Sequence, residues 1–192
     1  MKKFFGKLAG FVLATGLVFA FASCNNAASG TTSYDSPAGG TYNVTEVSYT
    51  EEGVESTVTK SGTSITCVST EGDVETTTVY TKSGDSYTAT VNGVDATSSI
   101  GGSETMYEVF EEMFSSSIVF GTDNTCTLTM SSESTSGTYT VSGSTCTVTY
   151  DDETMELTTT DGWVTISCSW ESTNNNDDDD TTTTCIMTFT RQ

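Results

Sequence analysis

The chain of 192 residues has no histidine, a single proline, and only six lysines and arginines against 26 acidic residues. Without histidine there is no Ser-His-Asp triad, no Cys-His pair, no histidine-ligated haem and no ordinary catalytic zinc site. The shortage of cations excludes a further class. Lys2, Lys3 and Lys7 lie at the extreme N-terminus, which leaves Lys60, Lys82 and Arg191 to face all 26 acids. Such a surface repels phosphate backbones and anionic headgroups, so nucleic acid is excluded as a partner. A long apolar run is missing as well. The best one, Leu8 to Ala22, has about 15 residues, short of the roughly 20 that a spanning helix needs.

What the N-terminus does contain is a cationic start, that short apolar run, and Phe21-Ala22-Ser23-Cys24 at its end. This order is that of a secretory leader. Its last residues resemble the signals of bacterial lipoproteins, in which a small residue, then Gly, Ala or Ser, precede the cysteine that becomes acylated. Ala22, Ser23 and Cys24 match, while Phe21 replaces the usual aliphatic residue. The resemblance implies a signal peptide over 1–23, a lipid attached to Cys24, and a place in the bacterial cell envelope, at the outer membrane or cell surface. Ala20-Phe21-Ala22 also satisfies the small-x-small rule of ordinary signal cleavage, which would release a chain starting at Ser23. Residues 24–40 are rich in Ala, Ser, Gly and Thr, hold Pro37, and show no apolar period. They read as a flexible tether.

From Thr41 onward, Thr and Ser alternate with Val, Ile, Tyr and Cys, and turn signals recur at Glu52-Gly53, Ser61-Gly62, Gly72-Asp73, Gly84-Asp85, Asn92-Gly93, Ser142-Gly143 and Asp161-Gly162. Period-two segments with turn residues every 8 to 12 positions make an antiparallel meander. The expected fold is all-β, one domain over 41–192, with about 8–11 strands curling into a barrel. Parity places every cysteine after Cys24 on the apolar face of its strand. Tyr42 and Val44 share one parity, Val47 and Tyr49 the other, so a bulge is expected near Thr45 or Glu46. Only 103–116 breaks the period: Met106, Val109, Phe110, Met113 and Phe114 fall at helical spacing, with Thr105 and Glu108 placed for a capping box. A helix there serves either as a crossover packed on the sheet or as a lid over one barrel mouth.

These residues resemble the lipocalin-like domains of small bacterial lipoproteins. Gly40-Thr41-Tyr42 stands where that family shows Gly-x-Trp on its first strand, Gly137-Thr138-Tyr139 opens a late hairpin, and Ile118 to Asp123 is similar to its middle hairpin. The resemblance implies that Arg191, on the last strand, packs on Tyr42 to close the barrel. It also implies an envelope-anchored lipoprotein whose cup binds a small hydrophobic ligand, with Met130, Tyr139, Trp163 and Trp170 as wall residues. The alternative is a surface or structural lipoprotein with a filled barrel that meets another protein. Beyond the membrane reached through acylated Cys24, no protein partner is identified.

Five cysteines remain once Cys24 is set aside. Cys168 and Cys185 flank one connection and are the candidate disulfide pair; the alternative is that all five are small buried hydrophobes. No Cys-x-x-Cys occurs, and no metal or cofactor is expected. Asn174 to Thr184, with Asp177 to Asp180, lacks the alternating acids and glycine turn of a calcium loop and reads as a solvated loop. The pairs Glu51-Glu52, Glu111-Glu112 and Asp151-Asp152 are neighbours in sequence, not carboxylates facing across a cleft, so no enzyme is expected.

Overall fold

The computed structural model describes residues 33–192 except 101, 131–132, 151–152 and 177–178. The leader and Cys24 lie outside the described residues. The alternating segments form thirteen strands: β1 (Thr41–Glu51), β2 (Val54–Ser61), β3 (Ser64–Glu71), β4 (Val74–Ser83), β5 (Ser86–Val91), β6 (Val94–Asp95), β7 (Ser117–Phe120), β8 (Thr125–Met130), β9 (Glu133–Ser142), β10 (Thr145–Tyr150), β11 (Glu153–Thr158), β12 (Thr165–Asn176) and β13 (Asp179–Arg191). One helix, α1 (Ser103–Phe114), separates β6 from β7. The expected loop over 174–184 is mostly strand, since β12 and β13 reach to within two residues of each other.

All the strands join one antiparallel sheet in the order β13-β12-β11-β10-β9-β8-β7-β1-β2-β3-β4-β5-β6, and β13 also pairs with β1. That extra pairing closes eight strands, β1 and β7 to β13, into a barrel, while β2 to β6 continue from β1 as a meander. The eight strands of the closed ring fall within the expected 8–11; the sheet as a whole has thirteen, because turn signals mark hairpins but do not tell which strands enter the ring. Length explains how β1 serves so many neighbours. At about 3.3 Å per residue, its 11 residues span roughly 36 Å, whereas the four of β7 span about 13 Å. β7 takes only the first part of β1, pairing Thr41 with Val119 and Asn43 with Ser117, and leaves the remaining ladder for β2. Along β13, Gln192 N donates to Thr41 O and the Thr45 and Thr190 hydroxyls meet at 2.8 Å.

By the contacts it makes, the described chain divides into two compact units. One comprises Val47–Phe110 and Trp170–Ile186; the other comprises 33–46, Glu111–Ser169 and Met187–Gln192. The parity change expected near Thr45 or Glu46 is present: Tyr42, Val44 and Val47 are all buried within one uninterrupted strand. It falls where β1 passes from one unit to the other.

In the second unit the inward positions are filled by large side chains. Tyr42, Ile118, Phe120, Leu157, Ile166, Met187 and Phe189 are at most 1% exposed, and Cys146 and Val148 are fully buried between them. Burying each such side chain contributes about 1.5–3 kcal/mol, so this packed interior is the main source of the unit's stability. In the first unit, Val47, Val58, Ile65 and Ala89 form the apolar floor of the sheet. The start of α1 lies on it: Phe110 packs against Tyr80 with ring centroids 6.5 Å apart, and Tyr107 against Tyr87 at 5.5 Å. The helix is thus a crossover packed on the sheet in this unit. Its first turn opens three positions before the expected N-cap Thr105, with Met106 N donating to Gly102 O. Thr105 and Glu108 therefore sit inside the helix and form no capping box; Glu108 accepts from the Tyr87 hydroxyl instead.

One glycine of the second unit is dictated by close backbone approach. A Cβ at Gly137 would collide with the carbonyl oxygen of Thr149 on β10. Neither backbone can retreat without opening the β9–β10 ladder, in which Thr138 pairs with Thr149. The substitution Gly137→Ala is expected to lower unfolding free energy by about 1–3 kcal/mol, as overpacking does. Thr138→Ala, on the exposed face beside it, should stay within about 0.5 kcal/mol of the parent. Urea unfolding followed by tryptophan fluorescence measures both.

Candidate functional site

Arg191, at the end of β13, anchors a cluster of aromatic rings and backbone carbonyls in the second unit. Its guanidinium lies 5.7 Å from the centroid of the Tyr42 ring and stacks over Tyr34 at 3.8 Å. Nη1 donates to the carbonyl of Ser36 at 3.1 Å and to the Tyr42 hydroxyl at 3.4 Å, and Nη2 donates to the carbonyl of Ala38 at 3.2 Å. A planar cation with five donors suits this position because it lies flat on aromatic rings while its edge holds backbone carbonyls. Gly40 must lack a side chain here, since a Cβ would come within 2.7 Å of Tyr42 Cε2 and 2.9 Å of Arg191 Cζ.

Tyr42 carries the cluster into the barrel. Its hydroxyl donates to the carbonyl of Trp163 at 2.7 Å. Trp163 presents that carbonyl from the left-handed backbone region, at φ 62°, held by its N–H donating to Thr159 Oγ1. Burial raises the Tyr42 phenol above its ordinary pKa, and the Arg191 charge offsets part of that rise. From Tyr42 an edge-to-face row continues to Phe120 at 5.6 Å and on to Tyr139 at 4.9 Å, whose hydroxyl donates to Gly121 O. Both Gly-Thr-Tyr segments thus use their tyrosine alike, as an apolar body inside the barrel with its hydroxyl tied to a loop carbonyl.

The same contacts change the picture of the tether. Residues 34–40, expected to belong to it, are fastened: Tyr34 N donates to Gly162 O at 2.7 Å, Arg191 holds Ser36 and Ala38, and Pro37 is buried. Tyr34 is not among the residues that the sequence marks as a site. The one available signal is that it is the only aromatic residue between Cys24 and Gly40.

The first unit holds a different cluster, which sequence parity places on the inward face without revealing its bonding. The Tyr49 hydroxyl meets Cys67 Sγ at 3.7 Å and is hydrogen-bonded to Ser56. The Ser56 and Ser69 hydroxyls lie 2.8 Å apart, and Ser69 lies 3.5 Å from Cys67 Sγ, so the four side chains form a ring of polar contacts. Burial holds the Tyr49 phenol well above its usual range and raises the Cys67 thiol. Nearby on β1, burial also raises the Glu51 carboxyl, partly offset by a hydrogen bond from Thr183 on β13. Its Oε1 is buried without a hydrogen-bond partner. Cys185 is pushed up to about 11, by burial first and then by the charge of Glu51.

The expected disulfide does not form: Cys168 and Cys185 are both buried, unpaired thiols, as are Cys67, Cys126 and Cys146. The register explains this. The Ser167 and Thr188 hydroxyls meet at 3.3 Å, so Cys168 stands opposite Met187 and Cys185 lies two positions further along β13. Diagonal neighbours have Cα atoms about 7–8 Å apart, beyond ordinary disulfide reach. Burial pushes the Cys146 and Cys168 thiols up to about 12, the opposite of an activated nucleophile. Of the expected wall residues, Tyr139 and Trp163 are buried parts of the barrel frame, while Met130 and Trp170 are half-buried. Among the described residues no group of three or more Cys, Asp or Glu side chains converges as metal ligands. No protein-family model matches the chain, and no curated protein or solved structure matches it significantly.

Two substitutions separate the clusters. Tyr42→Phe keeps the ring packing but leaves the buried Trp163 carbonyl unpaired, and should cost about 1–3 kcal/mol in urea unfolding. Glu51→Gln should act in the other direction. A carboxyl whose folded pKa is raised binds its proton more tightly in the fold than in the unfolded chain, so stability falls as pH rises through that interval and the cost persists at pH 7. The glutamine variant should therefore unfold at higher urea than the parent at pH 7. The gap should close as pH drops below the ordinary glutamate value of about 4.3.

Proposed function

We propose that the chain is a non-enzymatic lipoprotein of the bacterial cell envelope, acylated at Cys24, whose lipocalin-like barrel is a filled scaffold that presents its outer surface to another protein. The observation that carries this reading is the interior of the closed barrel. Among the described side chains, inward positions along β1 and β7 to β13 are held mostly by aromatic, aliphatic and thiol groups that are almost wholly buried, and in a small barrel such packing favours a filled interior over a cargo cavity. The raised thiols and the lack of histidine support a role without chemistry. The leader and the fastening of 34–40 suit a domain held near a membrane.

A second reading, a small and largely hydrophobic ligand, is favoured by one feature of the first unit. Its inward face combines an apolar floor, the Tyr49–Ser56–Ser69–Cys67 ring and a Glu51 oxygen with no partner. Native mass spectrometry of the full chain, extracted in mild detergent from its host membrane, separates the two. The scaffold reading expects a mass equal to polypeptide plus acyl chains on Cys24, with five thiols that react only after unfolding. A stoichiometric apolar adduct that departs on unfolding would replace it by the ligand reading. A mature chain starting at Ser23 without acyl mass would end the lipoprotein assignment.

A further inference from the structure

The fastening of residues 34–40 has a geometric consequence for a chain anchored at Cys24. We infer that the strapped end of the closed barrel faces the lipid surface, with the loops over 121–124 and 159–164 as its membrane-proximal side. This rests on the lipoprotein reading above.

The strap leaves from one end only. β7 ends there at Phe120, β8 starts there at Thr125, β11 ends there at Thr158, β12 starts there at Thr165, and β13 delivers Arg191 to the same end. Tyr34 is bonded to Gly162 in the 159–164 loop, so the first attachment among the described residues is made at this end and not along the wall. Chain length then limits orientation. Ten residue steps separate Cys24 from Tyr34, and at about 3.3–3.6 Å per residue they reach at most about 35 Å when fully extended. A free tether running to Gly40 would reach about 55 Å. To turn the opposite end toward the membrane, the segment would have to run back along the barrel wall, where a strand such as β9, with 10 residues, spans about 33 Å along its own axis. That path consumes the whole reach. With the strap fastened, the inverted orientation demands a nearly fully extended tether, well beyond the roughly 17 Å average reach of ten flexible residues, and is disfavoured; with it released, the six further residues relieve that demand.

The chemistry of this end determines how closely it approaches. Asp123 and Asp161 lie in its two loops, and their carboxylates accept hydrogen bonds from Thr125 and Thr165, which hold both below the usual aspartate range. Two carboxylates in the loops of this end make its insertion among the headgroups costly.

The five cysteines that follow Cys24 are buried, which allows selective labelling of an added surface thiol on the folded protein. Thr122→Cys marks the strapped end and Glu133→Cys, at the start of β9, marks the other; both parent residues are exposed. The full chain is produced in a bacterium, its acylation at Cys24 is checked by mass, and it is reconstituted in neutral phosphatidylcholine vesicles containing a paramagnetic headgroup lipid. Fluorescence of the label at 122 should be quenched several-fold more than that at 133. Arg191→Ala, or Tyr34→Ser if the former does not fold, should bring the two values together. Equal quenching in the acylated parent, or stronger quenching at 133, overturns the orientation while leaving the lipoprotein reading intact. A chain without acyl groups overturns both.

Discussion

The pairing of β13 with β1 is the constraint on which the rest of the barrel depends. Apart from β1 with β7, every other neighbour relation in the sheet is between strands consecutive in the chain, and these pairings alone would leave an open sheet with two exposed edges. Joining the first strand to the last closes eight strands on themselves and makes an inside. The cost is the entropy of bringing together residues nearly 150 apart in sequence, such as Thr45 and Thr190, which grows only slowly with loop length. Arg191 reinforces the closure at its end by holding the chain that leads into β1.

Two kinds of interior follow from one type of strand. Both units have alternating strands with threonine and serine on the wet side. In the second unit the inward positions are aromatic, aliphatic or thiol groups, and two of its buried tyrosines, Tyr42 and Tyr139, satisfy their hydroxyls at the barrel end. In the first, Tyr49 has small polar neighbours, Ser56, Ser69 and Cys67, that satisfy its hydroxyl within the sheet. A buried hydroxyl needs a partner in either setting, and the two units supply it from different sources: loop carbonyls in one, side chains on adjacent strands in the other. Glu51 Oε1 and the Thr70 hydroxyl are exceptions, buried without a hydrogen-bond partner, and the raised Glu51 pKa is the physical sign of incomplete compensation.

Much of this is legible in the amino-acid order. Strand periods, the helix over 103–114, inward cysteines and the parity change in β1 all rest on local spacing, and local spacing reports which face of an element is dry. The pairing of Tyr42 with Arg191 follows from a resemblance to other barrels, not from spacing, and the structure places the guanidinium 5.7 Å from the ring centroid. The expected capping box is displaced because Gly102 opens the helix through its carbonyl, a role that leaves no side-chain signature. The Cys168–Cys185 bridge fails for a similar reason. Both cysteines are inward by parity, but parity cannot distinguish a directly opposed residue from its diagonal neighbour; only the register set by Ser167 and Thr188 does so.

What the amino-acid order settles alone is the alphabet of the described structure: strands where Thr alternates with Val, Ile or Tyr, turns at Gly, Asn and Asp, and an amphipathic helix between β6 and β7. Folding settles what depends on contacts between distant segments. It decides that eight strands of thirteen close, that the described residues gather into two compact units, that Tyr34 and its neighbours are captured by Arg191, and that the thiols stay apart. The division has a physical basis. Side-chain period is a property of a few consecutive residues, whereas a ladder partner depends on how much of a long strand remains unpaired after its nearer neighbours have taken their share.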